Sequence, residues 1–173
     1  MPRLRTANML AAFAGEVTER VQAVLKNHPN QTDSATAALN IISFWEGITN
    51  ADLARALKLS HTATVRLVDK LEAQAYVEAR GGKDKRATHL YITPAGRKAV
   101  LPALVARCAA VEGYLGVLTA AEEKQFAVLL EKLMRPLGAD AYAVSHFCRL
   151  CEFTVCPAGQ CPMHANMESW AKT

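Results

Sequence analysis

Four of the five cysteines of the chain lie within one short stretch near its C-terminal end. They are Cys148, Cys151, Cys156 and Cys161. Two residues separate the first pair and four separate each following pair, so short turns can bring the four sulfurs around one point. Four thiolates suit a tetrahedral Zn²⁺ ion, which then has no open coordination position. The spacing therefore predicts a structural zinc site, with Pro157 and Gly159 supplying the turn in the last loop.

Other chemistries for these cysteines remain open. The intervals between them equal those of the retroviral-type zinc knuckle, with cysteine in place of its histidine, which favours zinc. Four cysteines can also hold an iron–sulfur cluster. Alternatively, no cofactor is bound and Cys148 and Cys151 act as redox-active thiols that form a disulfide under oxidant. The fifth cysteine, Cys108, lies on the apolar side of a long helical pattern and is predicted to be a small core residue.

The positive charge of the chain is concentrated in one segment. The net charge is +4, and residues 60–98 hold eight basic and four acidic residues, so the rest of the chain is balanced. A local basic excess is expected where one surface meets a polyanion such as nucleic acid. The cysteine segment is close to neutral, which makes it a poor binder of phosphates.

Several protein classes are disfavoured by the sequence. The apolar run near the N-terminus is interrupted early by Glu16 and Glu19, so it does not resemble a secretory signal. No apolar run approaches the ~20 residues of a membrane span. We therefore expect a cytoplasmic protein without membrane contact, whose thiols stay reduced. No nucleophile with a base and no Gly-rich phosphate loop is apparent, so an enzyme is not expected.

Apolar periodicity and capping residues predict a mainly α fold with a small β-hairpin. Helices are expected over residues 4–27, from Asp33 or Ser34 to Gly47, and after the caps Thr49 and Ser60. The last two helices form a helix-turn-helix. Two β-prone segments, YVEAR and THLYIT, flank the basic turn GGKDKR and predict a hairpin. A long helix beginning at Pro94 and another capped by Thr119 follow. A helix-turn-helix followed directly by a basic hairpin is typical of a winged helix.

The segments TVRLVDKLEAQAYV and DKRATHLYITPAGR resemble the MarR (multiple antibiotic resistance regulator) family of bacterial repressors. The family pattern is an Asp-x-Arg wing tip, here Asp84-Lys85-Arg86. A strand ending in Leu-Thr-x-x-Gly follows, here Ile92-Thr93-Pro94-Ala95-Gly96. The resemblance covers roughly residues 5–137. Ala75 stands where the family usually has glycine, and the cysteine segment lies outside the pattern.

This resemblance implies a DNA-binding transcriptional regulator, most often a repressor, that binds a pseudo-palindromic double-stranded operator as a homodimer. The expected organisation is a dimerisation helix at 1–31, a winged-helix domain at 32–98, dimerisation helices at 99–145 and a cysteine-rich tail at 146–173. Small aromatic acids often act as effectors in this family, and His28, Phe44 and Trp45 are candidates to line such a pocket. The alternative function is a thiol–disulfide redox protein or a protein-interaction module that uses the cysteine tail.

The winged-helix interpretation assigns residues to the DNA. The helix after Ser60 is expected in the major groove, and the wing along the backbone and the adjacent minor groove. The candidates on the helix are Ser60, His61, Thr62, Thr64 and Arg66. The candidates on the wing are Arg80, Lys83, Asp84, Lys85 and Arg86. Arg86 is expected to enter the minor groove with Asp84 positioning it, and the lysines and Arg80 are expected to neutralise phosphates.

Overall fold

The computed structural model describes residues 1–26, 33–81, 88–156 and 161–163. Its elements, in chain order, are α1 (Pro2–Lys26), α2 (Asp33–Phe44), β1 (Ile48–Thr49), α3 (Asn50–Leu57), α4 (His61–Ala73), β2 (Val77–Gly81), β3 (Thr88–Ile92), α5 (Pro94–Leu115), α6 (Ala120–Met134), a 3₁₀ turn (Arg135–Leu137) and α7 (Ala141–Cys148). The mainly α architecture with a small β-hairpin is therefore confirmed. Among the described residues, no helix combines the length and the apolar character that a membrane span requires.

The core of the molecule is built around α2. Residues 35–42 of this helix are all buried, and Leu39, Ile41 and Ile42 have no exposed surface. Helices α3, α4 and α5 and strand β3 all pack against α2. A helix that is apolar on all sides can be stable only when it is surrounded in this way. The position of α2 explains why its sequence, DSATAALNIISF, shows a weaker polar face than the neighbouring helices.

The sheet has three antiparallel strands in the order β1-β3-β2. In the hairpin, Val77 faces Ile92 and Gly81 faces Thr88, which confirms the predicted pairing of the two β-prone segments. The short strand β1 was not predicted. It forms because Gly47, with a φ of 83°, turns the chain after α2 and its N–H donates to the Leu90 carbonyl at 2.8 Å.

The terminal helices pack differently from the core. Helix α1 lies along α5, with Phe13 edge-on to Tyr114 at 5.4 Å between ring centroids. Every residue of α6 keeps exposed or half-exposed surface. Helix α7 runs across the expected boundary between residues 145 and 146 and packs on α3 of the helix-turn-helix. The start of the cysteine tail is therefore helical and docked on the winged-helix domain.

Candidate nucleic-acid interface and cysteine cluster

Local capping fixes the geometry of the helix-turn-helix. The Thr49 hydroxyl accepts a hydrogen bond from the Asp52 N–H at 3.1 Å and so begins α3. Lys58 ends α3 in the left-handed conformation, with a φ of 56°. The Ser60 hydroxyl accepts from the Ala63 N–H at 3.2 Å and begins α4. The two hydroxyls satisfy backbone N–H groups at helix starts, and the Lys58 N–H donates to the Arg55 carbonyl at the end of α3, so the turn between the helices is set by neighbouring residues.

The first two turns of α4 present polar side chains to solvent. Ser60, His61, Thr62 and Arg66 are all exposed, as predicted for residues that reach DNA. Thr64 corrects the prediction. Its side chain is fully buried and its hydroxyl donates to the Ser60 carbonyl at 3.1 Å, because position 64 lies on the face of α4 that is turned toward the core. The solvent-exposed face of α4 that could contact DNA is thus narrower than the sequence indicated.

The hairpin is fastened to the end of α4 by a set of short contacts. Ala75 takes the left-handed conformation, with a φ of 57°, at the position where glycine is usual. The Thr93 hydroxyl donates to the Ala75 carbonyl at 2.7 Å and accepts from the Gly96 N–H at 3.0 Å. A Cβ on Gly96 would lie 2.2 Å from the Tyr76 carbonyl oxygen, so only glycine fits there. These contacts explain the Thr-x-x-Gly pattern physically.

A further contact between α4 and the hairpin was not found from the sequence. The Glu72 carboxylate accepts a hydrogen bond from the Ala79 N–H of β2 at 3.1 Å. A carboxylate near the end of a helix gives no sequence signal of this role, because its partner depends on where the hairpin returns. Glu72 therefore helps to fix the angle between α4 and the wing.

The base of the wing carries Arg80, which was predicted to neutralise phosphate. Its guanidinium donates to the Glu78 carboxylate at 2.9 Å and lies over the Tyr91 ring, 4.5 Å from the centroid. The hydrogen bond with Glu78 raises the pKa of Arg80. Both side chains of the pair are more than half exposed, so DNA phosphate can compete for Arg80. The wing-tip candidates Lys83, Asp84, Lys85 and Arg86 lie outside the described residues.

Comparison with known proteins agrees with this geometry. The MarR family model matches residues 32–87, which include the helix-turn-helix and β2. A MarR family protein of Bacillus stearothermophilus has a similar structure, with 20% identity and a TM-score of 0.68 over 78% of this chain and 94% of that chain. Residues 32–87 of this chain are therefore similar to the MarR family, and its fold is similar to that of MarR family structures. A comparison with curated protein sequences found no match.

Two further MarR-type structures resemble the chain. A Mycobacterium tuberculosis MarR family protein in complex with p-aminosalicylic acid is 26% identical, with a TM-score of 0.57 over 73% of this chain and 96% of that chain. Streptococcus pneumoniae FabT in complex with DNA is 18% identical, with a TM-score of 0.63 over 78% of this chain and 96% of that chain. The match to the family model does not include the cysteine segment.

The residues predicted to line a MarR effector pocket are in contact with the C-terminal segment. Phe44 packs against Phe153, with ring centroids 4.7 Å apart, and Trp45 packs against Tyr142 at 5.9 Å. His28 lies outside the described residues. A cavity of about 270 Å³ lies next to Phe153, between α2, α5 and residues 152–154. The residues that line it include Asn40, Ser43, Arg97, Leu104, Glu152 and Phe153.

Helix α7 is attached to α3 mainly through polar contacts. The Tyr142 hydroxyl donates to the Asp52 carboxylate at 2.7 Å, and this hydrogen bond raises the pKa of Tyr142. The Arg55 guanidinium donates to the same hydroxyl at 2.9 Å and lies 3.7 Å from the centroid of the tyrosine ring. His146 Nδ1 lies 3.1 Å from the Ala56 carbonyl oxygen. These contacts join α7 to α3, the helix that precedes α4.

The four predicted metal ligands come together at the end of α7. Cys148 is buried and the other three are half-buried. The Cys148 thiol donates to Cys151, and this hydrogen bond lowers the pKa of Cys151 to about 7 and raises the pKa of Cys148. Burial, followed by repulsion from Cys161, raises the pKa of Cys156 to about 11. The sulfurs thus form two hydrogen-bonded pairs, Cys148 with Cys151 and Cys156 with Cys161, and the two pairs are close enough to affect each other's pKa.

The cluster is not a finished metal site. Among the described residues, no group of three or more His, Cys, Asp or Glu side chains is placed so that it could hold a metal ion as it stands. Two arginines lie close to the cluster, and both favour the thiolate form of Cys151. Arg107 Nη1 donates to the Leu150 carbonyl at 3.2 Å, and Arg149 donates to the His146 carbonyl. The fifth cysteine, Cys108, is half-buried in α5.

Proposed function

We propose that this protein is a homodimeric transcriptional regulator, acting as a repressor, that binds a pseudo-palindromic DNA operator. The observation that carries the proposal is the exposed start of α4, where Ser60, His61, Thr62 and Arg66 face solvent beside a basic hairpin. A helix of this kind fits the major groove, and its N-terminal residues reach base edges. The structural similarity to FabT, which was solved with DNA, supports this use of α4. Access to the chromosome also requires a cytoplasmic location.

The homodimer is supported by apolar faces that lack cover within one chain. Large apolar side chains of α1, α5 and α6 are 41–59% exposed. They are Met9, Leu10, Phe13, Leu101, Val105, Phe126, Leu129, Leu130 and Leu133. Contiguous apolar surface on several helices is typical of an interface between subunits. A twofold dimer formed by these helices would present two copies of α4, which explains the expected symmetry of the operator.

A small aromatic acid is the proposed effector. The Mycobacterium tuberculosis relative was solved with p-aminosalicylic acid, which is an aromatic carboxylate. The cavity of about 270 Å³ in this chain is lined by four apolar side chains and five polar ones, and Arg97 is one of the polar residues. Arg97 pairs with the exposed Glu46 carboxylate, so a carboxylate ligand can compete for the guanidinium. Binding there would act on the contact between α2 and α5.

The test of DNA binding begins with a genomic selection for bound fragments and continues with Arg66→Ala and Arg86→Ala on the selected operator. Each variant is expected to lose about 1–3 kcal/mol of binding free energy in a mobility-shift titration at fixed salt. Lys83→Ala is expected mainly to reduce the salt dependence, by about one unit of slope. The control is Lys124→Ala, on the exposed surface of α6. Unchanged affinity in both arginine variants would remove α4 and the wing from the proposal.

The dimer is tested by mass in solution. Leu133→Asp places a charge on α6, where the leucine is 57% exposed in one chain. The wild type is expected to have the mass of two chains and the variant the mass of one, with the helical circular dichroism signal retained. A wild-type mass of one chain would contradict the homodimer.

A further inference from the structure

The cysteine cluster contacts the most buried helix of the DNA-binding domain. Asn40 of α2 is 2% exposed, and its side-chain amide donates to the carbonyl oxygens of Arg149 at 3.1 Å and of Cys151 at 2.9 Å. Both carbonyls belong to the turn between the first two cysteines of the cluster. A buried amide costs free energy unless it is hydrogen-bonded, so α2 depends on this turn being in place.

The loop between the second and third cysteines is also ordered by a buried side chain. Glu152 is 6% exposed, and its carboxylate accepts hydrogen bonds from the N–H groups of Thr154 at 3.0 Å and Val155 at 3.1 Å. The Glu152 carbonyl in turn accepts from the Cys156 N–H at 3.2 Å. This geometry brings Cys156 back toward Cys151. Cys151 and Cys161 both pack against the small buried cluster that contains Cys148, so these three cysteines lie in one neighbourhood.

We propose that the four cysteines bind one Zn²⁺ ion, and that this site fastens the 148–151 turn to Asn40, so that zinc loading stabilises the DNA-binding form of the winged-helix domain. The regulatory part of this inference rests on the proposed DNA binding, whereas the proposed metal site does not depend on DNA binding.

Zinc fits the donor set better than other divalent ions. Thiolates are soft ligands, and four of them around one ion give a tetrahedral site with no open position. The positive charges of Arg107 and Arg149 offset the negative charge of a zinc ion bound by four thiolates. Since these four cysteines do not form a complete metal site as they stand, zinc binding requires the sulfurs to move closer together, and the thiols release their protons to solvent when the metal binds. Zinc neither gains nor loses electrons in this step.

The metal site is tested on the full chain purified without an affinity tag. Elemental analysis is expected to find one zinc per chain, and Cys156→Ser is expected to lose it. The matched control is Cys108→Ser, which removes a half-buried cysteine outside the cluster and should keep the zinc. Substitution of the zinc by Co²⁺ should produce thiolate-to-cobalt absorption bands in the wild type and in Cys108→Ser only.

Three results would overturn the metal site. The first is protein with reduced thiols and far less than one zinc per chain. The second is iron in place of zinc, which would be seen as visible absorption in the purified protein. The third is a thiol titration under denaturing conditions that detects fewer than five thiols per chain after metal removal, since that would place disulfides among the cysteines.

The coupling is tested with Asn40→Asp, which keeps the shape of the side chain and removes both amide donors. In the wild type, removal of zinc by a chelator is expected to lower the melting temperature and to weaken operator binding at least threefold. Asn40→Asp should bind zinc, bind the operator more weakly than the wild type, and change little further when the zinc is removed. Asn8→Asp is the matched control, because Asn8 is exposed on α1.

The outcomes separate the two proposals. If Asn40→Asp responds to zinc removal as strongly as the wild type, in melting temperature and in DNA affinity, the coupling through Asn40 is wrong. If DNA binding by the wild type is unaffected by zinc removal, the regulatory inference fails while the regulator remains. If zinc is bound at one per chain and the selection finds no DNA, the proposed function fails while the metal site remains.

Discussion

The winged-helix domain and the C-terminal segment are held in place by different forces. In the domain, residues such as Leu39, Leu53 and Leu90 have no exposed surface and form one continuous apolar core. Among its described residues, the C-terminal segment has a small apolar cluster, formed by Val144, Cys148 and Met163 with a few half-buried neighbours. Its position on α2 and α3 depends on hydrogen bonds together with the ring contacts of Phe153 and Tyr142. The domain is therefore stabilised by buried area, whereas the segment can respond to a change in a few polar contacts.

The largest expected effect is in the domain, at Gly96. A Cβ at this position meets the Tyr76 carbonyl oxygen at 2.2 Å, so Gly96→Ala must displace the backbone that joins α4 to the hairpin. Backbone shifts from overpacking are costly, and we expect a loss of about 3 kcal/mol or more in the free energy of unfolding. Urea denaturation of the variant and the wild type measures this difference in the free energy of unfolding. Gly113→Ala is the control, since its Cβ meets nothing within 4 Å and helix propensity favours alanine. Equal stability of the two variants would contradict the close approach at Gly96.

A smaller effect is expected in the segment, at Tyr142. Tyr142→Phe removes the hydroxyl that donates to Asp52 and accepts from Arg55. Hydrogen bonds to charged groups contribute about 1.5–3 kcal/mol, and partial exposure should bring this one to the lower end. Faster amide hydrogen exchange in α7 than in α2 would show that the segment is loosened first.

The stabilisation that Tyr142→Phe removes depends on pH with a known sign. The hydrogen bond to Asp52 raises the pKa of Tyr142, so the unfolded chain loses this proton at a lower pH than the folded chain. The stabilisation is present below the ordinary tyrosine pKa of about 10 and declines as the pH rises above it. The control is Tyr114→Phe, which removes a hydroxyl that donates to the exposed Glu16. If both variants lose the same free energy of unfolding, the contact between Tyr142 and Asp52 does not hold α7 in place.

The smallest effect is expected outside both regions, at the start of α6. The Thr119 hydroxyl accepts from the Glu122 N–H, and the Glu122 carboxylate accepts from the Thr119 N–H at 2.8 Å. Thr119→Ala removes one half of this capping box and should cost about 1 kcal/mol. This loss of stability is measured as earlier fraying of α6 during thermal unfolding, which circular dichroism detects. Thr6→Ala, which removes only an exposed bond to the Pro2 carbonyl, should change stability by less than about 0.5 kcal/mol.

Most of the domain could be predicted because its signals are local. Thr49 and Ser60 cap helices through bonds to residues three positions away, so they are recognised from the sequence without any knowledge of the fold. The buried position of Thr64 was missed, because on a short helix a shift of one position moves a residue from the exposed face to the core face. The strand β1 was missed because two residues carry no periodicity, and it forms only where β3 offers a partner.

By itself, the sequence determined the order of helices α1 to α6, the hairpin, the basic segment and the spacing of four cysteines, since all of these depend on residues that are close together in the chain. Only the tertiary structure decided that the cysteine segment lies on α2 and α3. That contact joins Asn40 to Cys151 across 111 positions. Neither residue shows in the sequence that it binds the other, because a buried amide and a backbone carbonyl become partners only when the apolar core has placed them together.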